Sequence, residues 1–373
     1  MIYFDNAATT RPSETAISKA SKFNNELFFN PSTLYSGGLN CAREIRQAKE
    51  SILRSLGNTN FDVVFTSCGS ESNNTAIFCA VKRGVYVTDL GEHAAVYKPF
   101  LELKQRGNKV FFVGLNKDGT VKKEELFKTV KENNADFVSI MHVNNETGGI
   151  NDVNSIAKTL KSINNKIVFH VDGVQAFGKI PYRLSPEIDL YSISAHKVNG
   201  LKGVGALLKK KNLSLSPLIF GGGQESGYRS GTENIFGIKV FQYALEENYK
   251  DLKLKFDNCK KIKDTLINLL DKDDIEILSG ENSSPYILTI AVKGLRGEVI
   301  MHALEMENVI VGNGSACSSR NRYSRVIEAC GFSTDILDGV IRLSFSKENT
   351  IEQAIDAAKI INETVKTLKR KLL

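Results

Sequence analysis

From Asp62 to His196 the chain alternates between two textures. Short runs of Val, Ile, Phe and Tyr occur at 62–66 (DVVFT), 85–89 (VYVTD), 109–115 (KVFFVGL), 135–143 (ADFVSIMHV), 166–172 (KIVFHVD) and 190–196 (LYSISAH). Amphipathic stretches such as SIAKTLKSI at 155–163 lie between them. Near-continuous apolar strands separated by helices predict a mostly parallel sheet covered by helices on both faces. After Leu207 the texture changes. KKKNLSLSP is polar and turn-rich, and GGGQESGYRSGT at 221–232 is a glycine-dense loop. Helical text runs from about 238 to 270. Strand-like runs at 275–279, 286–292, 309–312 and 340–345 then surround a helix at 297–305, and a long helix starts at Thr350. This predicts a second, smaller α/β domain. The large domain is expected over 14–240, and the small one over 1–13 and 241–373. No period of 20–50 residues recurs, which excludes a solenoid.

Composition narrows the class. Of 373 residues, 42% are hydrophobic and 24% charged, which excludes a disordered or fibrous chain. No apolar run approaches the ~18 residues of a membrane span. The N-terminus, MIYFDNAATTRPSE, has neither the basic region nor the apolar stretch of a signal peptide, so a cytoplasmic location without membrane contact is expected. The net charge is +7. Its clearest basic run, KTLKRK at 366–371, carries no interleaved aromatics and reads as a solvated helix end, so no direct nucleic-acid binding is expected. The cysteines are Cys41, Cys68, Cys79, Cys259, Cys317 and Cys330. None forms a CxxC pair, which argues against a zinc site or a redox pair. They are expected to be mostly reduced thiols.

In an open α/β sheet, ligands bind at the carboxyl ends of the strands. Five of the apolar runs end in polar groups: Ser67-Cys68-Gly69-Ser70, Gly91-Glu92-His93, Asn144-Asn145-Glu146, Asp172 with Gln175 close behind, and Ala195-His196-Lys197. Together they point to one shared site. Lys197 has the ordinary alternative of a solvated surface lysine. At a strand mouth beside an anion site it loses hydration, its pKa falls, and the free amine becomes a Schiff-base nucleophile. Asp172 is either a helix N-cap or a carboxylate facing the pyridinium nitrogen of pyridoxal phosphate. Gln175 would then lie near the ring's phenolic oxygen, and His93 could stack on the ring. Gly69 and Ser70, ahead of helix-like text, fit a phosphate cradle or a plain turn.

Ten segments carry a closer resemblance: YFDNAATT (3–10), NPS (30–32), SESNNTAI (70–77), EHAAV (92–96), VNNETG (143–148), HVDGVQAFGK (170–179), SAHKVNGLKGVGAL (194–207), GGGQESGYRSGTEN (221–234), GSACSS (314–319) and IRLSFS (341–346). In this order they resemble the cysteine desulfurases, a group of class V aminotransferase-like, fold type I pyridoxal-phosphate enzymes. The resemblance implies Lys197 as the cofactor-binding lysine, Asp172 and Gln175 on the ring nitrogen and oxygen, and His93 on the ring face and in proton transfer. It implies Ser70, Ser194 and His196 as phosphate ligands, joined by Thr232 from a partner subunit and hence by a homodimer. Asn145 and Arg342 would hold the substrate carboxylate, and Cys317 would be the nucleophile.

Cys317 stands among small residues, Gly314-Ser315-Ala316-Cys317-Ser318-Ser319, which have little to bury. Cys79 and Cys330, flanked by apolar residues, fit the buried-thiol role better. Departures from the pattern are Tyr35 where a His is usual, Ala195 for a Gly, Ser70 for a Thr, and an arginine-rich run after Cys317. The expected activity is conversion of L-cysteine to L-alanine, with a persulfide left on Cys317 for a sulfur-acceptor protein of iron–sulfur assembly or of tRNA or cofactor thiolation. Selenocysteine lyase, small-amino-acid transaminase and non-catalytic cofactor-bound scaffold are the alternatives. The nucleophile argues against the transaminase, and the intact catalytic set against the scaffold.

Overall fold

The computed structural model describes residues 1–313 and 323–371. Among them the strands are β1 (Ile2–Phe4), β2 (Phe61–Thr66), β3 (Val85–Asp89), β4 (Lys109–Val113), β5 (Phe137–Met141), β6 (Val168–Asp172), β7 (Leu190–Ser194), β8 (Gly205–Lys210), β9 (Ile275–Ile277), β10 (Ile287–Val292), β11 (Val309–Asn313) and β12 (Val340–Ser344). The described residues form two sheets. The larger runs β2-β8-β7-β6-β5-β3-β4, and the smaller β1-β11-β12-β10-β9. Every residue of β5 and of β7 is buried, which is why their sequences are apolar without alternation.

The larger sheet is parallel except for β8, which runs antiparallel to both β2 and β7. The sequence disguises β8 because Lys209 stands inside it. That lysine is fully buried, and its ammonium is satisfied by Asp62 at 3.1 Å and by the carbonyl of Leu213 at 3.0 Å. A paired lysine can occupy a strand that its charge seems to forbid.

Helices cover the sheet with apolar stripes at helical spacing. In the helix Val153–Ile163 the buried residues are Val153, Ile156, Ala157 and Leu160, and Asp152 caps its N-terminus by accepting from Ser155 N. The helix Ser36–Ser55, which the texture reading passed over, buries Cys41, Ile45, Ala48 and Ile52 and packs on Ile235–Lys250. The latter helix spans residue 240 and contributes Ile235 to Leu245 to the larger hydrophobic core. The second core gathers Phe4, the face of Leu252–Leu269 from Cys259 to Leu266, β10 to β12, and Ala354 to Val365 of the C-terminal helix. That last helix, Ile351–Arg370, opens with a reciprocal cap between Thr350 and Gln353. Its basic end is held by Lys366 on Asp271 and Lys369 on Asp274. No described helix is long and apolar enough to cross a membrane.

Candidate active site

The two sheets meet over a cavity of about 460 Å³. It lies at the carboxyl ends of β5, β6 and β7 and at the N-terminus of the helix Gly69–Cys79. Gly69, Ser70, His93, Asn145, Asp172, Gln175, Ser194, His196, Lys197 and Arg342 all line it. These residues span some 270 positions of sequence, and the strand ends bring them together.

Asp172 ends β6, is nearly fully buried, and has both carboxylate oxygens occupied. Oδ1 accepts from Val174 N at 3.0 Å, and Oδ2 accepts from Asn73 Nδ2 at 2.7 Å. β7 stops at Ser194 and a single 3-10 turn, Ala195–Lys197, projects the lysine. Lys197 Nζ donates to the carbonyls of Ala7 at 2.6 Å and Ala8 at 2.7 Å. Gln175 Nε2 donates to the same Ala7 carbonyl at 2.9 Å, and its Oε1 accepts from Lys179 at 2.7 Å.

His93 caps the helix Ala94–Gln105, its Nδ1 accepting from Ala95 N at 3.1 Å. Burial holds its pKa below the usual histidine value. Lys197, Arg325 and Arg342 add to that depression, and Asp172 opposes it. A neutral ring that accepts at Nδ1 carries its proton on Nε2. Next to it, Glu92 is fully buried, with a pKa raised well above the carboxylate range by burial and then by Asp89 and Asp172. Its Oε1 accepts from Ser139 Oγ at 3.2 Å.

At the other end of the cavity, Arg342 Nη1 donates to the carbonyl of Asn145 at 2.9 Å and Nη2 to Asp5 Oδ1 at 2.8 Å. Its Nε and the Oδ1 of Asn145 are buried without hydrogen-bond partners. A guanidinium with an open edge, beside a side-chain amide, suits a carboxylate ligand.

The donor set fits pyridoxal phosphate. Ser194 Oγ is buried and unpartnered. The helix Gly69–Cys79 has no side-chain cap at Cys68, so its first N–H groups remain open to an anion. A Cβ on Gly69 would lie 2.9 Å from Val174 Cγ2 and 3.4 Å from Ser194 Cβ, so only glycine leaves this cradle clear. The phosphate would sit there, against Ser70, Ser194 and His196. Asp172 would face the ring nitrogen, and Lys197 would reach the reactive carbon.

Two of the expected residues are not in this set. Thr232 is exposed and does not line the cavity. Cys317 lies outside the described residues. The sequence reading also passed over Asn73 and Asp5. Asn73 follows Ser70 by three residues, the spacing that puts two side chains on one helix face. Asp5 directly follows β1 and sits inside the family-like run YFDNAATT.

Comparison with known proteins agrees with this geometry. The family described as aminotransferase class-V matches residues 2–356. A NifS/IcsS protein homolog of Lactobacillus delbrueckii subsp. bulgaricus is 36% identical over 365 residues, covering 95% of this chain and 94% of the relative. The cysteine desulfurase IscS of Dictyoglomus turgidum is 33% identical over 380 residues, covering 98% of this chain and 96% of the relative. A solved structure of a NifS-like protein superposes with a TM-score of 0.91 at 32% identity, covering 98% of this chain and 99% of that one. The chain belongs to the cysteine desulfurases of the class-V aminotransferase family and is a pyridoxal-phosphate enzyme.

Proposed function

We propose that the chain converts L-cysteine to L-alanine and carries the removed sulfur as a persulfide on Cys317. One observation supports this most. Lys197, Asp172, His93 and Arg342, an amine, a carboxylate, a neutral imidazole and a guanidinium, all line one cavity.

Pyridoxal phosphate, when bound, supplies an aldehyde carbon for amine attachment and an electron-accepting ring. The chain's residues do the rest. Arg342 and Asn145 hold the substrate carboxylate and so fix which bond at Cα lies open to Lys197. Asp172 holds a proton at the ring nitrogen, and Asn73 and Val174 N keep its carboxylate in place. Lys197 Nζ moves the Cα proton. His93 offers a proton from Nε2, since its Nδ1 already accepts from the backbone. Cys317 Sγ attacks the substrate sulfur as a thiolate, the S–S bond forms, and the substrate's C–S bond breaks with its electron pair left on the substrate carbon. That carbon is then protonated to give alanine, and the outer sulfur of the persulfide passes to a thiolate of an acceptor protein, which returns Cys317 as a thiolate.

The working unit of this proposal is a homodimer. Thr232 is exposed away from its own cavity, where a second copy could use it, and Phe28, Leu34 and Phe220 are large apolar side chains left exposed. Cytoplasmic residence and delivery to iron–sulfur assembly or thiolation belong to the same proposal. The test is release of alanine from L-cysteine by the cofactor-loaded protein, with sulfide measured when a thiol replaces the acceptor. Absence of both products overturns the reading.

A further inference from the structure

Lys179 lies seven residues beyond the end of β6 and has almost no access to water, being 6% exposed. Its ammonium donates to Gln175 Oε1 at 2.7 Å. Burial pushes its pKa down to about 7, with Lys197 and Arg342 adding to the effect and Cys259 opposing it. Lys179 and Lys197 border a common small cavity of about 20 Å³, together with Lys255, Lys347 and Tyr286. A buried amine is costly, and a nearby cation makes it more so. Lys179 therefore sits at a cost behind the cofactor site without reaching into the main cavity.

Its chemistry fixes something that the site needs. A side-chain amide can present either its oxygen or its nitrogen, and the two ends are nearly the same shape. Lys179 donates from Nζ to the atom it meets on Gln175, which is therefore the oxygen, and in its ammonium form it can do nothing else. The carbonyl of Ala7 can only accept, so the atom there must be the nitrogen, at 2.9 Å. The two contacts agree, and together they leave one orientation. We propose that Lys179 is a positioning residue that locks the Gln175 amide with its NH2 group, not its oxygen, toward the cofactor cavity. Gln175 then offers a hydrogen-bond donor to the ring oxygen of the cofactor. This rests on the assignment of Lys197 and Gln175 to that cofactor.

The experiment compares cofactor-loaded wild type, Gln175→Ala, Lys179→Met and the double variant. The readout is the pH midpoint of the visible absorption band of the protein-linked cofactor, with no substrate present. Lys179→Met is expected to move the midpoint in the same sense as Gln175→Ala, by about half a unit to one unit, because Gln175 Oε1 is left buried without a donor. The double variant is expected to match Gln175→Ala alone. A wild-type midpoint in Lys179→Met overturns the proposal, and so does an additive shift in the double variant. If Lys179→Met does not fold, Lys179→Gln decides, since it keeps an N–H donor. A near-wild-type midpoint there supports the proposal, and a midpoint like that of Gln175→Ala overturns it. Borohydride reduction of the wild type must attach the cofactor to the Lys197 peptide. Failure of that control removes the underlying assignment and this proposal with it, a result distinct from failure of Lys179 alone.

Discussion

Asn73 donates its side-chain amide to Asp172 Oδ2 at 2.7 Å, in a place where neither group meets bulk water. The helix Gly69–Cys79 thus does two things for the site. Its N-terminus, at Gly69 and Ser70, lines the cavity where the proposed phosphate cradle lies, and its first turn supports the carboxylate of Asp172. A bond to a buried charged group is worth more than one between neutral groups. Asn73→Ala is therefore expected to lower turnover roughly 10- to 100-fold while leaving the fold intact. Steady-state alanine release beside a thermal melt checks it. Unchanged turnover would show that Val174 N alone suffices to hold Asp172.

Asp172→Asn is the stronger perturbation. An uncharged amide cannot hold a proton at the ring nitrogen, so the electron sink weakens. Turnover is expected to drop on the order of 10²-fold or more, with cofactor binding retained through the cradle at Gly69 and Ser194. Near-normal turnover would mean that another residue faces the ring nitrogen.

Lys197→Ala removes the amine that reaches the cavity past the Ala7 and Ala8 carbonyls. After borohydride treatment the wild-type protein should carry cofactor mass on the peptide holding Lys197, and the variant should carry none. Turnover should vanish with it. A variant that still releases alanine at the wild-type rate would refute the assignment.

Most of this was readable because the chemistry stands where the strand pattern ends. Asp172, His196 and Lys197 each stand at the end of an apolar run, and the continuous-run pattern alone puts them at strand ends. β8 was not readable for the opposite reason. Lys209 is a charge inside a strand, made tolerable by Asp62, which is near in space and far in sequence, and by the carbonyl of Leu213 in the loop that follows. Asn73 and Asp5 escaped for a similar reason. Their importance is their contact with Asp172 and Arg342, and neither contact leaves a local mark. The same holds for Lys179, whose partner is only four residues away but which borders a small cavity with Asn248, Lys255, Tyr286 and Phe345.

Burial also sets a dependence on pH. His142 and His170 are buried, and each has its pKa pushed down to about 3 by burial. An unfolded histidine titrates near 6.5, so below that value the unfolded state binds protons that the folded state refuses. Stability contributed by keeping these rings neutral is whole above pH 6.5 and is lost progressively as pH falls toward 3. At pH 5 the loss is about 2 kcal/mol per histidine. The raised carboxylates Asp89 and Glu92 act in the opposite sense, so the test is a difference. His142→Gln should show a shallower fall in denaturation midpoint between pH 7 and 5 than the wild type. Equal slopes would show that His142 is not held neutral.

Cys317→Ser separates binding from sulfur transfer. Of the six cysteines, Cys41, Cys79, Cys259 and Cys330 are buried, and burial raises the pKa of each thiol, to about 12 for Cys259 and Cys330. A thiol that stays protonated is a poor nucleophile. Cys68 lines the cavity next to Gly69. Cys317, in its run of small residues, is the thiol to which the proposed mechanism gives the attack on substrate sulfur. A hydroxyl in its place cannot carry sulfane sulfur. The variant should still bind cofactor, because Lys197 and the cradle are untouched. It should still bind L-cysteine, because Arg342 and Asn145 remain. The persulfide should vanish, and catalytic alanine release with it, while serine at Cys41, Cys79, Cys259 or Cys330 should leave most activity. Mass spectrometry after incubation with L-cysteine gives the direct readout: a gain of about 32 Da on the peptide holding Cys317 and on no other. The same gain on Cys68 or Cys330 would overturn the mechanism.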